Sequence, residues 1–177
     1  MVEVDVFALD QIKTNTGQDL LSMTKEKPVL LIFLRHFGCV SCQQALKDIH
    51  KLRKELESKG VQLCFAHMAS IEEGNDYFAK YGLTGVPHIS DPGCKYYAQF
   101  GLIKGKFNQL FGLQVWLKTF EAAVKEKNNL FAKSIGDGFQ MPGVFYLVNG
   151  KITSQFIHNK ASDRPDYSSL ISDCCGA

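Results

Sequence analysis

The chain has 177 residues, of which 45% are hydrophobic and 21% are charged, and its formal net charge is +2. This length allows one domain with a substantial core, so we interpret residues 1–177 as a single domain whose tail at residues 173–177 is flexible. The charged residues are scattered, which argues against nucleic acid as a partner. The longest apolar run, residues 29–34, is far too short to span a membrane, so we expect no membrane partner either.

The amino-terminal residues bear on where the protein works. Residues 1–7 contain two acidic side chains and lack the apolar core of a signal peptide. We therefore expect a cytoplasmic protein, in which thiols stay reduced. In that compartment a closely spaced cysteine pair is catalytic or metal-binding rather than structural.

The spacing of apolar residues predicts strands and helices that alternate along the chain. In chain order the pattern predicts a strand at 3–8, a helix at 19–23, a strand at 29–35, a helix at 40–58, a strand at 61–67, a helix at 71–81, a strand at 86–92, a helical turn at 96–100, a hairpin at 143–148 and 151–157, and a helix at 166–172. Residues 103–140 are expected to form an inserted helical segment. This order implies an α/β domain with a mixed sheet and helices on both faces.

Two cysteines, Cys39 and Cys42, lie where the strand predicted at 29–35 meets the helix predicted at 40–58. The first turn of a helix has unpaired N–H groups, and these groups and the helix dipole stabilise a thiolate. Cys42 lies one turn behind Cys39 on the same face, so it can form a disulfide after Cys39 has reacted. We interpret the pair as redox-active and catalytic.

Two other interpretations of the pair stay open. A zinc half-site would need further ligands, and the sequence has no second CxxC and no HxxxH pair. A site that binds a partner without turnover is the other interpretation. Arg35 and His36 directly precede the pair, and a positive charge on either favours a thiolate at Cys39. Arg35 is also a candidate for binding a peroxide.

The order of elements, with CxxC after the first core strand and Met141-Pro142 before the hairpin, resembles the thioredoxin fold. Residues 86–92, which end in Ser-Asp-Pro, and residues 97–102 resemble a peroxiredoxin pattern. Residues 161–167 resemble the tail of the peroxiredoxin-like branch of the alkyl hydroperoxide reductase and thiol-specific antioxidant superfamily. The resemblance extends over roughly residues 5–173. It implies a thioredoxin-like, three-layer α/β/α fold with a mixed sheet.

The resemblance also implies an activity and site residues. A cis peptide bond is expected before Pro142, which would pack against Cys39, and the Met141 backbone would pair with an extended thiol substrate. The implied activity is that of an antioxidant thiol oxidoreductase that reduces peroxides or disulfides. It needs no metal or organic cofactor, and an external dithiol such as a thioredoxin-type system re-reduces it.

Two residues of the usual peroxiredoxin pattern Pro-x-x-x-Thr/Ser-x-x-Cys are absent, because Ile32 and His36 occupy those positions. Their absence favours a second hypothesis, a protein disulfide reductase without peroxidase activity. A third hypothesis is a non-catalytic redox sensor or adaptor that changes partners when the CxxC pair oxidises.

The remaining cysteines and aromatic residues have simpler interpretations. We expect Cys64 to be a small buried hydrophobic residue and Cys94 to lie at the start of a helix. Cys174 and Cys175 form a thiol pair that we expect to lie in an exposed tail without a role, with a resolving or shuttling partner as the alternative. The aromatic residues within 107–120 are expected to pack in the core, with a substrate pocket or a homodimer face as alternatives. The scattered histidines are expected to be packing residues.

Overall fold

The computed structural model describes residues 6–105 and 136–172, which fold around a five-stranded mixed sheet. The spatial order of the strands is β3-β2-β1-β4-β5, where β1 (Val29–Phe33), β2 (Gln62–His67) and β3 (His88–Ser90) are parallel, and β4 (Gly143–Val148) and β5 (Lys151–Ile157) complete the sheet with antiparallel pairing. The helices are α1 (Leu20–Glu26), α2 (Val40–Ser58), α3 (Ile71–Lys80), α4 (Lys95–Gln99) and α5 (Tyr167–Ser172), and a 3-10 helix spans Val6–Gln11.

The central strand β1 is buried on both faces, as its uninterrupted apolar sequence predicts. Leu30 and Ile32 pack in a cluster with side chains of α2, α3 and α5. Leu31 and Phe33 face the other side and pack with the 3-10 helix, α1 and α4. Helices therefore cover both faces of the sheet in three layers, as the sequence predicts.

Helix α2 begins and ends where the sequence predicts, at Val40 and Ser58. Its apolar positions Leu46, Ile49 and Leu56 are buried against the sheet. The helix ends because Gly60 adopts φ +76°, a left-handed conformation that glycine reaches without steric cost. The buried strand β1 and the buried face of α2 together fix the position of the loop between them.

The Ser-Asp-Pro segment connects β3 to α4 through the buried side chain of Asp91. Its carboxylate accepts hydrogen bonds from the backbone N–H groups of Lys95 at 2.9 Å, Tyr96 at 2.7 Å and Tyr97 at 3.2 Å. The Tyr97 hydroxyl in turn donates a hydrogen bond to the Leu34 carbonyl. The segment therefore ties α4 to the end of β1, directly before the loop that contains the cysteine pair.

The turn of the β4–β5 hairpin has the predicted two-residue form. Asn149 and Gly150 have φ values of +49° and +76°, which matches the preference of Asn-Gly for this turn. Both backbone N–H groups bond to Thr24 of α1, at 3.0 Å each. The hairpin is therefore anchored to the helix that packs beside it.

Two sequence predictions differ from the structure. Residues 6–8 of the strand predicted at 3–8 belong to the 3-10 helix, because Leu9 and Ile12 are three apart and insert together into the core. The strand predicted at 86–92 is shorter, since Pro87 and Pro92 lack the N–H that a ladder needs.

Several predictions fall on residues that the structure does not describe. Most of the inserted segment at 103–140, the aromatic residues within 107–120, and the pair Cys174 and Cys175 lie outside the described ranges. Among the residues within those ranges, no helix has the length and apolar character needed to cross a membrane.

Candidate active site

Arg35 and the two cysteines meet in the loop between β1 and α2. The Arg35 backbone N–H donates a hydrogen bond to Cys42 Sγ at 3.2 Å, and the Arg35 guanidinium Nη1 donates to Cys39 Sγ at 3.4 Å. All three residues are buried, and both cysteines are free thiols. Cys39 forms the N-cap of α2, as the sequence analysis predicts.

The surroundings of the two thiols shift their pKa values in opposite directions. The hydrogen bond from the Cys42 thiol contributes most to holding the pKa of Cys39 well below its ordinary value, and the charges of Arg35 and His36 act in the same direction. Donating that hydrogen bond, together with burial and the nearby Cys39 charge, raises the pKa of Cys42 well above its ordinary value. The pair is therefore arranged as a thiolate at Cys39 and a thiol at Cys42.

A backbone carbonyl far along the chain orients the Arg35 side chain. Gly138 O accepts hydrogen bonds from Arg35 Nε at 2.9 Å and from Nη2 at 2.7 Å. Two bonds to one acceptor hold the planar guanidinium in one orientation, with Nη1 directed at Cys39. Arg35 is a site candidate from the sequence, but this contact is not predictable there, because every residue has a backbone carbonyl.

The loop before Cys39 is held by aromatic stacking. The ring of Phe37 stacks on Tyr77 of α3 with centroids 3.9 Å apart, and the Tyr77 hydroxyl accepts a hydrogen bond from the Gly38 N–H at 3.4 Å. Gly38 has φ +93°, a conformation that glycine adopts readily and other residues rarely do. Tyr77 is not predicted as a site residue, because in the sequence it looks like any half-buried aromatic residue on a helix.

Two of the scattered histidines form a buried pair on the far side of Phe37. His67 Nε2 and His88 Nδ1 are 2.8 Å apart, and His88 Nε2 lies 2.9 Å from Asn75 Oδ1. Burial lowers the pKa of His67 to about 3 and that of His88 to about 4, so both rings are neutral at neutral pH. Both histidines are buried, as their prediction as packing residues implies, and the hydrogen bond between the two rings is not predictable from the sequence.

The structure corrects one expectation about the segment before β4. No cis peptide bond is present in the described residues, so the bond between Met141 and Pro142 is trans. The Met141 N–H donates to Ile103 O at 3.3 Å, where the chain around Lys104 pairs antiparallel with the chain around Gln140. The pairing of the Met141 backbone with an extended substrate stays a prediction.

A cleft of about 690 Å³ opens beside Cys39, and its lining includes Pro142. Its walls are mixed, with apolar side chains beside polar and charged ones such as Gln44, Asp48 and His158. The apolar lining residues include Ile32, Pro142, Val144, Phe156, Pro165 and Tyr167. At the rim, Arg164 pairs with Asp48 at 2.9 Å. The volume lies within the range of small-molecule binding sites.

The other described cysteines have the opposite character to Cys39. Cys64 is fully buried in β2, as predicted, and burial raises its pKa. Cys94 caps α4, its Sγ lies 3.3 Å from Met68 Sδ, and burial raises its pKa too. Among the residues that the structure describes, no cluster of three or more metal-binding side chains occurs.

A mixed sheet covered on both faces by helices defines a protein of the thioredoxin-like fold, in which the CxxC pair lies where the central strand meets a helix. Residues 4–153 match the model of the AhpC/TSA family. The chain therefore belongs to the AhpC/TSA family and is a thiol-dependent oxidoreductase of the peroxiredoxin-like type.

Individual relatives agree with this membership. The chain is 25% identical over 167 residues to the prostamide/prostaglandin F synthase of Salmo salar, which corresponds to 92% of this chain and 82% of that protein. A mutant of Xanthomonas campestris peroxiredoxin Q has a TM-score of 0.63 at 17% identity and covers 97% of this chain and 95% of its own. A second solved structure is that of the Xanthomonas campestris bacterioferritin comigratory protein, whose description refers to alkyl peroxide reduction activity. It has a TM-score of 0.62 at 16% identity and covers 96% of this chain and 94% of its own. At these identities the two structures establish the fold.

Proposed function

We propose that this protein reduces organic peroxides, with Cys39 as the attacking thiolate and Cys42 as the resolving thiol. The observation that carries this proposal is the position of the Arg35 guanidinium, whose Nη1 donates to Cys39 Sγ at 3.4 Å, because its positive charge favours a thiolate there. Only a thiolate is a strong nucleophile. At neutral pH, Cys39 is therefore the sulfur that attacks, and Cys42 stays a thiol until the resolving step.

In the first step, Cys39 Sγ attacks the terminal peroxide oxygen. An S–O bond forms, the O–O bond breaks, and the sulfur loses two electrons to become a sulfenic acid. The alkoxide that leaves takes a proton from water and departs as an alcohol. The Arg35 guanidinium, 3.4 Å from Cys39 Sγ, is placed to donate a hydrogen bond to the oxygen that gains negative charge.

In the second step, Cys42 resolves the sulfenic acid. Its thiol loses a proton, its sulfur bonds to Cys39 Sγ, and the hydroxide that leaves takes up a proton to form water. An external dithiol then supplies two electrons and two protons and restores both thiols. A thioredoxin-type system in the cytoplasm is the reductant that we propose, because that compartment keeps dithiols reduced.

The cleft supports an organic peroxide over hydrogen peroxide as the substrate. Its volume of about 690 Å³ and the apolar side chains in its mixed lining can accommodate a carbon skeleton attached to the peroxide group. The name of the Salmo salar relative refers to prostamide and prostaglandin F, and a solved neighbour is described by alkyl peroxide reduction.

A second candidate is a protein disulfide reductase, which the missing hydroxyl at His36 favours. In that reaction Cys39 would form a mixed disulfide with the substrate, and Cys42 would resolve it. A redox sensor without turnover uses the same pair and differs in having no steady-state activity.

Trapping the sulfenic acid tests the proposal. In a Cys42→Ser variant treated with one equivalent of cumene hydroperoxide, we expect dimedone to add to Cys39, as detected by mass spectrometry of the peptides. The Cys39→Ser variant is the matched control and forms no such adduct. If Cys42→Ser gives no adduct, and the wild-type protein reduces a disulfide substrate instead, the disulfide reductase replaces the peroxidase.

A further inference from the structure

The carbonyl that orients Arg35 belongs to a short turn, residues 137–140, built around one carboxylate. Asp137 Oδ1 accepts a hydrogen bond from the Phe139 N–H at 2.8 Å, and Asp137 O accepts one from the Gln140 N–H at 3.2 Å. An aspartate that bonds the backbone two residues ahead is a common way to fix a turn. Gly138, whose carbonyl faces Arg35, lies between the two bonded ends.

The second oxygen of the Asp137 carboxylate is bound outside the turn. Asp137 Oδ2 pairs with Lys104 Nζ at 2.7 Å, where the Lys104 side chain is 68% exposed and that of Asp137 30%. Exposed ion pairs contribute little to stability, so the bond to the Phe139 N–H is the contact that shapes the turn. The two oxygens can therefore be tested separately.

The Gly138 carbonyl that accepts the Arg35 hydrogen bonds is uncharged, which favours the thiolate at Cys39. A carboxylate partner would compensate the positive charge of Arg35, whereas the Gly138 carbonyl fixes the guanidinium without adding a negative charge. The charge of Arg35 acts on Cys39 over 3.4 Å, a distance at which an opposite charge favours ionisation. Where the turn places the Gly138 carbonyl therefore influences the orientation of Arg35.

We propose that Asp137 is a positioning residue for the redox site: by fixing the turn, it holds the Gly138 carbonyl against Arg35 and so keeps Nη1 at Cys39 Sγ. Asp137 does not touch the reacting atoms. The inference deepens the proposed function, since it concerns the thiolate that attacks the substrate, and it is measured on the thiolate itself.

Three variants separate the turn from the charge. Asp137→Glu keeps the negative charge, but its longer side chain does not fit the bond to the Phe139 N–H. Asp137→Asn loses the charge and keeps an oxygen at the same place. Lys104→Met removes the ion pair alone. Arg35→Met is the reference, because it removes the guanidinium itself.

The readout is the pKa of Cys39, measured on the full chain as the pH dependence of iodoacetamide alkylation of the Cys39 peptide by mass spectrometry. We expect Asp137→Glu to raise this pKa by about one unit, in line with the loss of a nearby opposite charge, and Arg35→Met to raise it at least as far. Asp137→Asn and Lys104→Met should stay close to the wild-type value. The thermal unfolding midpoint of each variant, followed by circular dichroism, verifies that it is folded.

A wild-type pKa in Asp137→Glu beside a raised value in Arg35→Met would overturn the proposal. An equal rise in Asp137→Glu, Asp137→Asn and Lys104→Met would also overturn it, since the ion pair and not the turn would then be responsible. If Arg35→Met leaves the pKa of Cys39 unchanged, the role of Arg35 in the proposed function is wrong. This result differs from a raised pKa in Arg35→Met beside a wild-type pKa in Asp137→Glu, which rejects only the role of Asp137.

Discussion

The surroundings of the cysteine pair lower the pKa of Cys39 and raise that of Cys42, which favours a thiolate at Cys39. The Cys42 thiol donates to Cys39, Arg35 and His36 add positive charge, and together they outweigh the burial that opposes ionisation of Cys39. The same hydrogen bond keeps Cys42 protonated and therefore unreactive until Cys39 has been oxidised.

We predict that Cys42→Ala raises the pKa of Cys39 more than Cys42→Ser does. Alanine removes the donor that contributes most to the lowered pKa, whereas a serine hydroxyl can still donate a hydrogen bond. An expected difference of about one unit between the two variants follows from the loss of one hydrogen bond to the charged form. The thiolate absorbance at 240 nm, recorded against pH and corrected with Cys39→Ser, measures it. Equal pKa values in the two variants would contradict the assigned donor.

At the residue scale, the sequence allows the prediction of contacts that are local and not of those that depend on the tertiary fold. The positions of Cys39, Cys42 and Arg35 follow from the junction of a strand and a helix. The Gly138 carbonyl lies 103 residues from Arg35 along the chain, and no residue type marks it. The contact of His67 with His88 depends on the register of β2 against β3, which periodicity does not fix.

At the scale of elements, Asp91 links the sheet to α4. Its carboxylate satisfies three backbone N–H groups, and α4 then places the Tyr97 hydroxyl on the Leu34 carbonyl. The Ser-Asp-Pro sequence is therefore a capping device that also supports the end of β1.

We predict that Asp91→Ala lowers the free energy of unfolding by about 1–2 kcal/mol, because the N–H groups that it accepts from lose their partner. Asp91→Asn is the control, since its amide oxygen can still accept, and it should lose clearly less. Urea unfolding followed by circular dichroism measures both. A loss in Asp91→Asn as large as that in Asp91→Ala would mean that charge and not capping is responsible.

Elements were predicted well wherever burial and periodicity agree. The bounds of α2 follow from its apolar spacing, its CxxC start and Gly60. The 3-10 helix at Val6–Gln11 was not predicted, because its few apolar residues fit either a short strand or a helical turn until the packing of Leu9 and Ile12 decides between them.

At the scale of the whole molecule, the buried histidine pair makes stability depend on pH. Burial lowers the pKa of His67 to about 3 and of His88 to about 4, and it also lowers the pKa of His158. Below the unfolded value of 6.5 the unfolded chain binds protons that the folded protein does not. Stability is therefore fully present above pH 6.5 and falls as the pH is lowered toward 4.

We predict that His88→Gln reduces the slope of the free energy of unfolding against pH by up to about 1.4 kcal/mol per pH unit. This is the contribution of one titrating group. The measurement is urea unfolding from pH 7 to 4 in a Cys39→Ser background, which removes the thiolate. His50→Gln, at an exposed position, is the control and should keep the wild-type slope. Asp19 and Asp137, whose carboxyl pKa values are lowered, also reduce stability as the pH falls below about 5, but both are present in every variant and so do not affect the difference in slope. An unchanged slope in His88→Gln would contradict the account of the pair.

The measurement that tests the central claim most directly is the rate at which cumene hydroperoxide oxidises the reduced protein. Samples from a rapid-quench mixer, analysed by mass spectrometry, give this rate. We expect a Cys39–Cys42 disulfide to form far faster than a free cysteine of ordinary pKa reacts at the same pH. We expect its formation to be slower in Arg35→Met. A rate no higher than that of free cysteine, with Arg35→Met unchanged, would contradict the assignment of a peroxide-reducing thiolate.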